Sequence, residues 1–245
     1  MIEIIDLRKS FGDQQVLRGV SLTISDGEVV AIIGESGGGK SVLLKHLLGL
    51  LKPDSGKIVV DGVDITTLSR EEFDKIRSRF GVVFQGSALF DSMTIFENIV
   101  FPLREKTKLA GEEIRARGMQ ALKDVGLSNI EDKYPAEISG GMKRRVALAR
   151  ALITEPAIVF FDEPTTGLDP IILHTVHRLI RATHRKYGFT GIIISHEIPE
   201  IFEVADKVAM LYRGVIAAVG TPEEIKNSSS PVVLRFINGG VEENA

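Results

Sequence analysis

Short, almost wholly apolar runs recur near the start of the chain and again beyond position 157, each closed by a turn signal; between them apolar residues return at helical spacing. Ile2–Leu7, Val16–Ile24, Val29–Ile33 and Ile58–Val60 read as strands, punctuated by Asp26-Gly27, Ser55-Gly56 and Asp61-Gly62. Ser69–Arg79 reads as a helix with Ser69 as N-cap and Glu72 at the capping-box position. Val82–Phe84 is a further buried strand, ending at Gln85. Helices are expected at Met93–Val100, Gly111–Val125 and Gly141–Ile153. Strand pattern resumes at Ala157–Phe161 and is followed by a helix at Pro170–Tyr187 and a strand at Gly191–Ser195. A helix near Pro199–Ala205 and a hairpin-like pair, Lys207–Tyr212 with Val215–Val219, complete the pattern. This alternation predicts a doubly wound α/β core with a helical insert at about 86–153. The main domain is expected over 1–226, with a tail at 227–245 that opens on Asn227-Ser228-Ser229-Ser230-Pro231. In that tail Val232, Val233, Phe236 and Ile237 share one helix face, which docks either on the chain's own core or on a partner.

The turn after Val29–Ile33 changes the picture. Gly34-Glu35-Ser36-Gly37-Gly38-Gly39-Lys40-Ser41 is a complete phosphate-binding loop between that strand and a helix beginning at Val42. Glycines let backbone N–H groups converge on phosphate oxygens, and the helix start adds unpaired N–H groups and partial positive charge. Lys40 would reach the β and γ phosphates, and the Ser41 hydroxyl would ligate Mg²⁺. A nucleoside triphosphate is the implied ligand. Asp162 and Glu163 end the apolar run Ala157–Phe161, at the strand end where open α/β sheets bind ligands. Asp162 would hold Mg²⁺ and Glu163 would polarise the attacking water as general base.

Composition narrows the partners. A formal net charge of −3 gives no electrostatic reason for nucleic-acid binding, and the short run Lys143-Arg144-Arg145 reads as a solvated helix face. The absence of cysteine excludes disulfides and thiolate metal sites, in keeping with the cytosol. The N-terminal Met1-Ile2-Glu3-Ile4-Ile5-Asp6 is strand-like and acidic, unlike a signal peptide. No apolar run approaches bilayer length, so any membrane span is expected from another chain.

Four further segments, Ile138–Leu152, Asp162–Thr165, Gly167–Asp169 and Ser195–Glu197, stand in the order of the ABC-type ATPases, which the chain resembles over nearly its whole length. The resemblance implies a P-loop ABC ATPase core, with a RecA-like parallel sheet, an N-terminal antiparallel β subdomain and a helical insert subdomain. It implies ATP and Mg²⁺, the ion being met by Ser41, Gln85 and Asp162. It implies a homodimer in which Ser139, Gly140 and Gly141 face the γ-phosphate held by the Gly34–Ser41 loop of the other subunit. Gln85 matches the glutamine that senses Mg²⁺ and the attacking water, and His196 the switch histidine at the γ-phosphate. Asp169 matches the loop that crosses the dimer interface. Phe11 sits where the family places a ring against adenine, packing in the β core being its alternative. Val42 replaces a frequent threonine beside the α-phosphate, leaving only its backbone N–H there. Met142 replaces the usual glutamine and removes a polar side chain at the closing interface.

Ser139–Ala151 with its Met142, Gly86–Ile99, Phe101–Glu105, His196–Glu200 and Phe236–Gly239 resemble the ATPases of Mla-type (maintenance of lipid asymmetry) transporters. That subgroup implies a peripheral subunit at the cytoplasmic face of the bacterial inner membrane, bound to two copies of an integral permease. It also implies an MCE-domain lipid-binding protein, admits a small STAS-domain subunit, and involves no nucleic acid. Leu89, Phe90, Ile95, Phe96 and Phe101 divide between core and a cleft that receives a permease helix. The other readings are ATPases for amino-acid transport, lipoprotein release or cell division, and a soluble iron–sulfur assembly ATPase.

Overall fold

Every residue of the run Val29–Ile33 is buried, as a strand covered on both faces requires. The computed structural model describes residues 1–238; Gly239 and the rest of the expected tail lie outside the described residues. Along the chain the first elements are β1 (Ile2–Phe11), β2 (Gln14–Ile24), β3 (Val29–Ile33), α1 (Lys40–Leu47), β4 (Ser55–Val60), β5 (Val63–Asp64) and α2 (Arg70–Arg77). Next come β6 (Phe80–Val83), α3 (Ile95–Lys106), α4 (Gly111–Asp124), α5 (Gly140–Leu152), β7 (Ile158–Asp162) and α6 (Pro170–Tyr187). The chain continues with β8 (Thr190–Ser195), β9 (Lys207–Tyr212), β10 (Val215–Gly220), α7 (Pro222–Lys226) and α8 (Pro231–Ile237). Packing divides it into two units, one formed by Met1–Arg77 with the residues from Thr190 onward, the other by Ser78–Phe189.

The first unit holds two sheets. One is antiparallel, in the order β2-β1-β4-β5. β1 runs to Phe11 because it pairs with β2 on one side and β4 on the other, which carries it through polar positions that the sequence pattern left as loop. In the other sheet β3 lies between β8 and β9, parallel to both, and β10 closes antiparallel on β9. The β9–β10 turn packs back on β2: the Arg18 N–H donates to the Gly214 carbonyl at 2.7 Å. A Cβ on Gly214 would stand 2.6 Å from the Val16 carbonyl, so glycine is required there. The tail helix α8 packs against α7 and β10, with Val233 fully buried.

In the second unit β6 and β7 pair in parallel, and Phe80 meets Phe160 edge-on with ring centroids 5.2 Å apart. The elements between these two strands are all helical. α3 starts at Ile95, with Thr94 as N-cap and Glu97 completing a capping box, two residues after the position that periodicity suggests. α4 crosses α3 closely at Gly118, where a Cβ would lie 2.6 Å from both the Phe96 ring and Val100. The helix expected near Pro199–Ala205, in the first unit, shrinks to a 3-10 turn at Glu200–Glu203.

Candidate functional site

Strand register positions the phosphate loop. β3 and β8 pair with Ile33 opposite Ser195, so Gly34 and His196 leave neighbouring strands at the same level. A Cβ on Gly34 would sit 2.2 Å from the Leu211 carbonyl oxygen of β9, so the loop can start here only from glycine. At the other end Gly39, with φ 99°, is the N-cap of α1 and supplies no side-chain cap. The first N–H groups of this helix are therefore met by no capping side chain, which makes an anion receptor. The Gly38 N–H donates to Glu35 O at 3.0 Å and tightens the turn. Lys40 is buried, and its ammonium donates to the carbonyls of Gly34 at 2.7 Å and Glu35 at 2.9 Å. Glu35, Ser36, Gly37 and Ser41 are exposed and Val42 is half-buried. Gly34, Glu35, Ser36 and His196 line one cavity of 590 Å³, together with Tyr212 and Arg235. The last two carry no sequence signature, and only the fold brings them here.

Phe11, at the end of β1, is 48% exposed, with the Lys9 ammonium 5.6 Å from its ring centroid. Packing in the β core is thereby excluded for this ring.

The same device recurs in the second unit. β6 and β7 pair with Val83 opposite Phe161, so Gln85 and Glu163 each lie two residues past a matched pair. Gln85 Nε2 donates to Glu163 Oε2 at 3.0 Å, and the Thr166 hydroxyl donates to the same oxygen at 3.3 Å. Glu163 has φ 47°, a left-handed conformation that costs a side-chain-bearing residue about 1 kcal/mol or more. Asp162 is the half-buried last residue of β7. Among the described residues no three His, Cys, Asp or Glu side chains converge as a metal site. Mg²⁺ keeps waters and takes one or two protein oxygens plus substrate phosphates, and the Ser41 hydroxyl and the Asp162 carboxylate, each in its own unit, are oxygen donors of the kind it takes.

Ser139 caps α5, its hydroxyl accepting the Met142 N–H at 3.3 Å. Gly140 opens onto empty space, whereas a Cβ on Gly141 would meet Ile172 of α6 at 2.7 Å. Gly141 is therefore required by packing, a reason the motif alone did not reveal. Asp169 is the N-cap of α6 and accepts the Ile171 and Ile172 N–H groups at 3.1 Å each.

The reading of Lys143-Arg144-Arg145 as a solvated face fails at Arg144. Its guanidinium donates to Phe84 O at 3.3 Å, to Ser87 Oγ at 3.4 Å and to Thr166 O at 3.3 Å. Of the five apolar residues after Gln85, Ile95 is wholly buried and Phe96 packs on Gly118. Phe90 and Phe101 meet at a tilt of 54° with centroids 4.9 Å apart and line a 370 Å³ groove with Phe84, Ala88 and Arg150.

The ABC transporter family model matches residues 17–166. "Probable ribonucleotide transport ATP-binding protein mkl" of Mycobacterium tuberculosis is 45% identical over 238 residues, covering 97% of this chain. The chain spans 66% of that relative's length. "Intermembrane phospholipid transport system ATP-binding protein MlaF" of Haemophilus influenzae is 38% identical over 239 residues, covering 98% of this chain and 90% of its own. Among solved structures, a dimeric ATP-binding cassette in a post-hydrolysis state bound to ADP and Pi superposes with a TM-score of 0.81 at 31% identity. The match covers 91% of this chain and 99% of that one.

Proposed function

The chain belongs to the ABC transporter family, and from that premise we propose that it is the ATP-hydrolysing subunit of an Mla-type transporter that moves phospholipid between membranes through a partner permease. The observation that carries the ATPase reading is the level exit of Gly34 and His196 from paired strands, which brings the glycine-rich loop and this histidine to the lining of one cavity. The lipid reading is supported by the relative named for intermembrane phospholipid transport, which the chain matches over nearly its full length.

In this reading the N–H groups from Gly34 to Val42 and the Lys40 ammonium bind the triphosphate, and Phe11 offers its exposed ring to adenine. Mg²⁺, held by Ser41 and Asp162 and sensed by Gln85, would neutralise charge on the phosphate oxygens. Glu163 takes the proton of the attacking water, and Gln85 and Thr166 fix the plane of its carboxylate. His196 donates toward the γ-phosphate.

Ser139, Gly140 and Gly141 meet the ATP held by a second copy, with Asp169 at the same interface. The dimeric cassette with ADP and Pi supports that arrangement. Two chains closing on two nucleotides and reopening after hydrolysis is the motion passed to the permease. Its helix is received in the groove of Phe84, Phe90 and Phe101. Among the described residues no helix is long and apolar enough to cross a membrane. In this reading the chain attaches peripherally, through the permease, at the cytoplasmic face of a bacterial inner membrane. An MCE-domain carrier completes the proposed assembly, which admits a STAS-domain subunit without requiring one.

The test is reconstitution with co-purified membrane subunits in vesicles, following labelled phospholipid and labelled ribonucleotide in parallel. ATP-dependent lipid transfer that stops in Glu163→Gln is the expected result. Ribonucleotide movement without lipid transfer would instead favour the activity named for the mycobacterial relative.

A further inference from the structure

The segment after Gln85 is held in a shape that its own residues disfavour. Ser87 and Ala88 both have positive φ, 64° and 46°, and neither is glycine. Left-handed backbone costs such residues roughly 1–2 kcal/mol each, so surrounding structure must impose it. Arg150, near the end of α5, does so. Its Nη1 donates to Ala88 O and its Nη2 to Ser87 O, both at 2.8 Å. Its guanidinium carbon lies 5.9 Å from the Phe90 ring centroid.

No carboxylate pairs with Arg150 among the described residues, and burial lowers its pKa from the usual arginine value. A cation taken out of water without a counter-charge is costly. The two carbonyls and the ring offset that cost only while the turn keeps this form. Nearer the start of the same helix, Arg144 reaches Phe84 O, Ser87 Oγ and Thr166 O. Two guanidinium groups of one helix thus grip the turn on both sides of Gln85, and that helix starts at the Ser139 cap.

We propose that Arg150 is a positioning residue for hydrolysis: by pinning the Ser87 and Ala88 carbonyls to α5 it fixes the turn that aims Gln85 at Glu163. Arg150 also forms part of the wall of the Phe90 groove. Displacement of whatever occupies that groove therefore passes through Arg150 to the turn and to α5 together. This second step rests on the reading of the groove as the permease site.

Steady-state ATP hydrolysis by the purified chain tests the first step. Arg150→Ala is expected to lower kcat roughly tenfold while KM for ATP stays within about twofold. Arg150→Lys keeps the cation but cannot fork to two carbonyls, and falls between. Adding Ala88→Gly to Arg150→Ala restores part of kcat, because glycine takes the positive φ unaided. An unchanged kcat in Arg150→Ala, or a loss that Ala88→Gly does not relieve at all, overturns the proposal. So does a concerted fall of kcat, ATP affinity and melting temperature in both Arg150 variants, which marks a residue of the fold alone. Co-purification of membrane subunits with the unaltered chain tests the groove separately. Their absence removes the occupant and leaves the kcat result standing.

Discussion

Gln85 Nε2 lies 3.0 Å from Glu163 Oε2, a contact between residues 78 positions apart in the chain. Parallel pairing of Val83 with Phe161 sets it up, and Thr166 adds a second donor to the same oxygen at 3.3 Å. Donors on one carboxylate oxygen fix the plane of the group, which a general base needs more than raw basicity. Glu163→Gln is isosteric but cannot take a proton. It is expected to lower kcat by about 10²–10⁴-fold while ATP still binds, and to accumulate as a closed ATP-bound dimer. Phosphate release and nucleotide binding, measured side by side, check this. Wild-type turnover in the variant would remove Glu163 from the role of base.

The same contact predicts a coupling. Gln85→Ala alone should cost about tenfold in kcat with little change in KM. In the Glu163→Gln background the carboxylate is gone, so removing Gln85 as well should cost little more. A double variant whose loss equals the product of the two single losses would show that Gln85 acts independently of Glu163.

Lys40 donates to the Gly34 and Glu35 carbonyls and is buried beneath the loop that it serves. Lys40→Ala removes that brace together with the cation intended for the phosphates. Hydrogen bonds to charged groups contribute about 1.5–3 kcal/mol, so ATP affinity should fall by roughly 10–100-fold. Fluorescent-nucleotide titration gives the answer. Tight binding retained in the variant would argue against this loop as the triphosphate site.

Glycine spacing and apolar runs made the strands and the phosphate loop legible, because β3 is buried throughout and its loop tolerates no Cβ at Gly34. What the sequence leaves undetermined is register. Nothing local in Ser195 or Ile33 says that they sit side by side, yet that pairing brings His196 to the loop. Phe84 was read as strand from its apolarity, but β6 stops at Val83 and Phe84 is 41% exposed. Charge patterning misplaced Arg144 for a related reason: a cation in a basic run reads as solvated until the carbonyls that it meets are brought in by distant segments. Gly141 was assigned to anion contact, and its packing against Ile172 became visible only once α6 was in place.

Asp124 closes α4 and ties it to the end of α6, accepting from Lys186 Nζ at 2.6 Å, from Gln120 Nε2 at 2.8 Å and from the Tyr187 hydroxyl. Burial pushes its carboxyl upward, but hydrogen bonds from Lys186, Tyr187 and Gln120 outweigh that and hold its pKa below the usual 3.8. A depressed folded-state value means that the stabilisation is fully present above the unfolded pKa and is lost as pH falls through the folded one. Asp124→Asn keeps the shape without the charge and should destabilise the chain by about 1–2 kcal/mol near neutrality. Urea unfolding at several pH values would show the gap between variant and wild type constant above about pH 5 and narrowing below about pH 4. A gap that ignored pH would assign the cost to packing at the α4–α6 junction and not to the carboxylate charge.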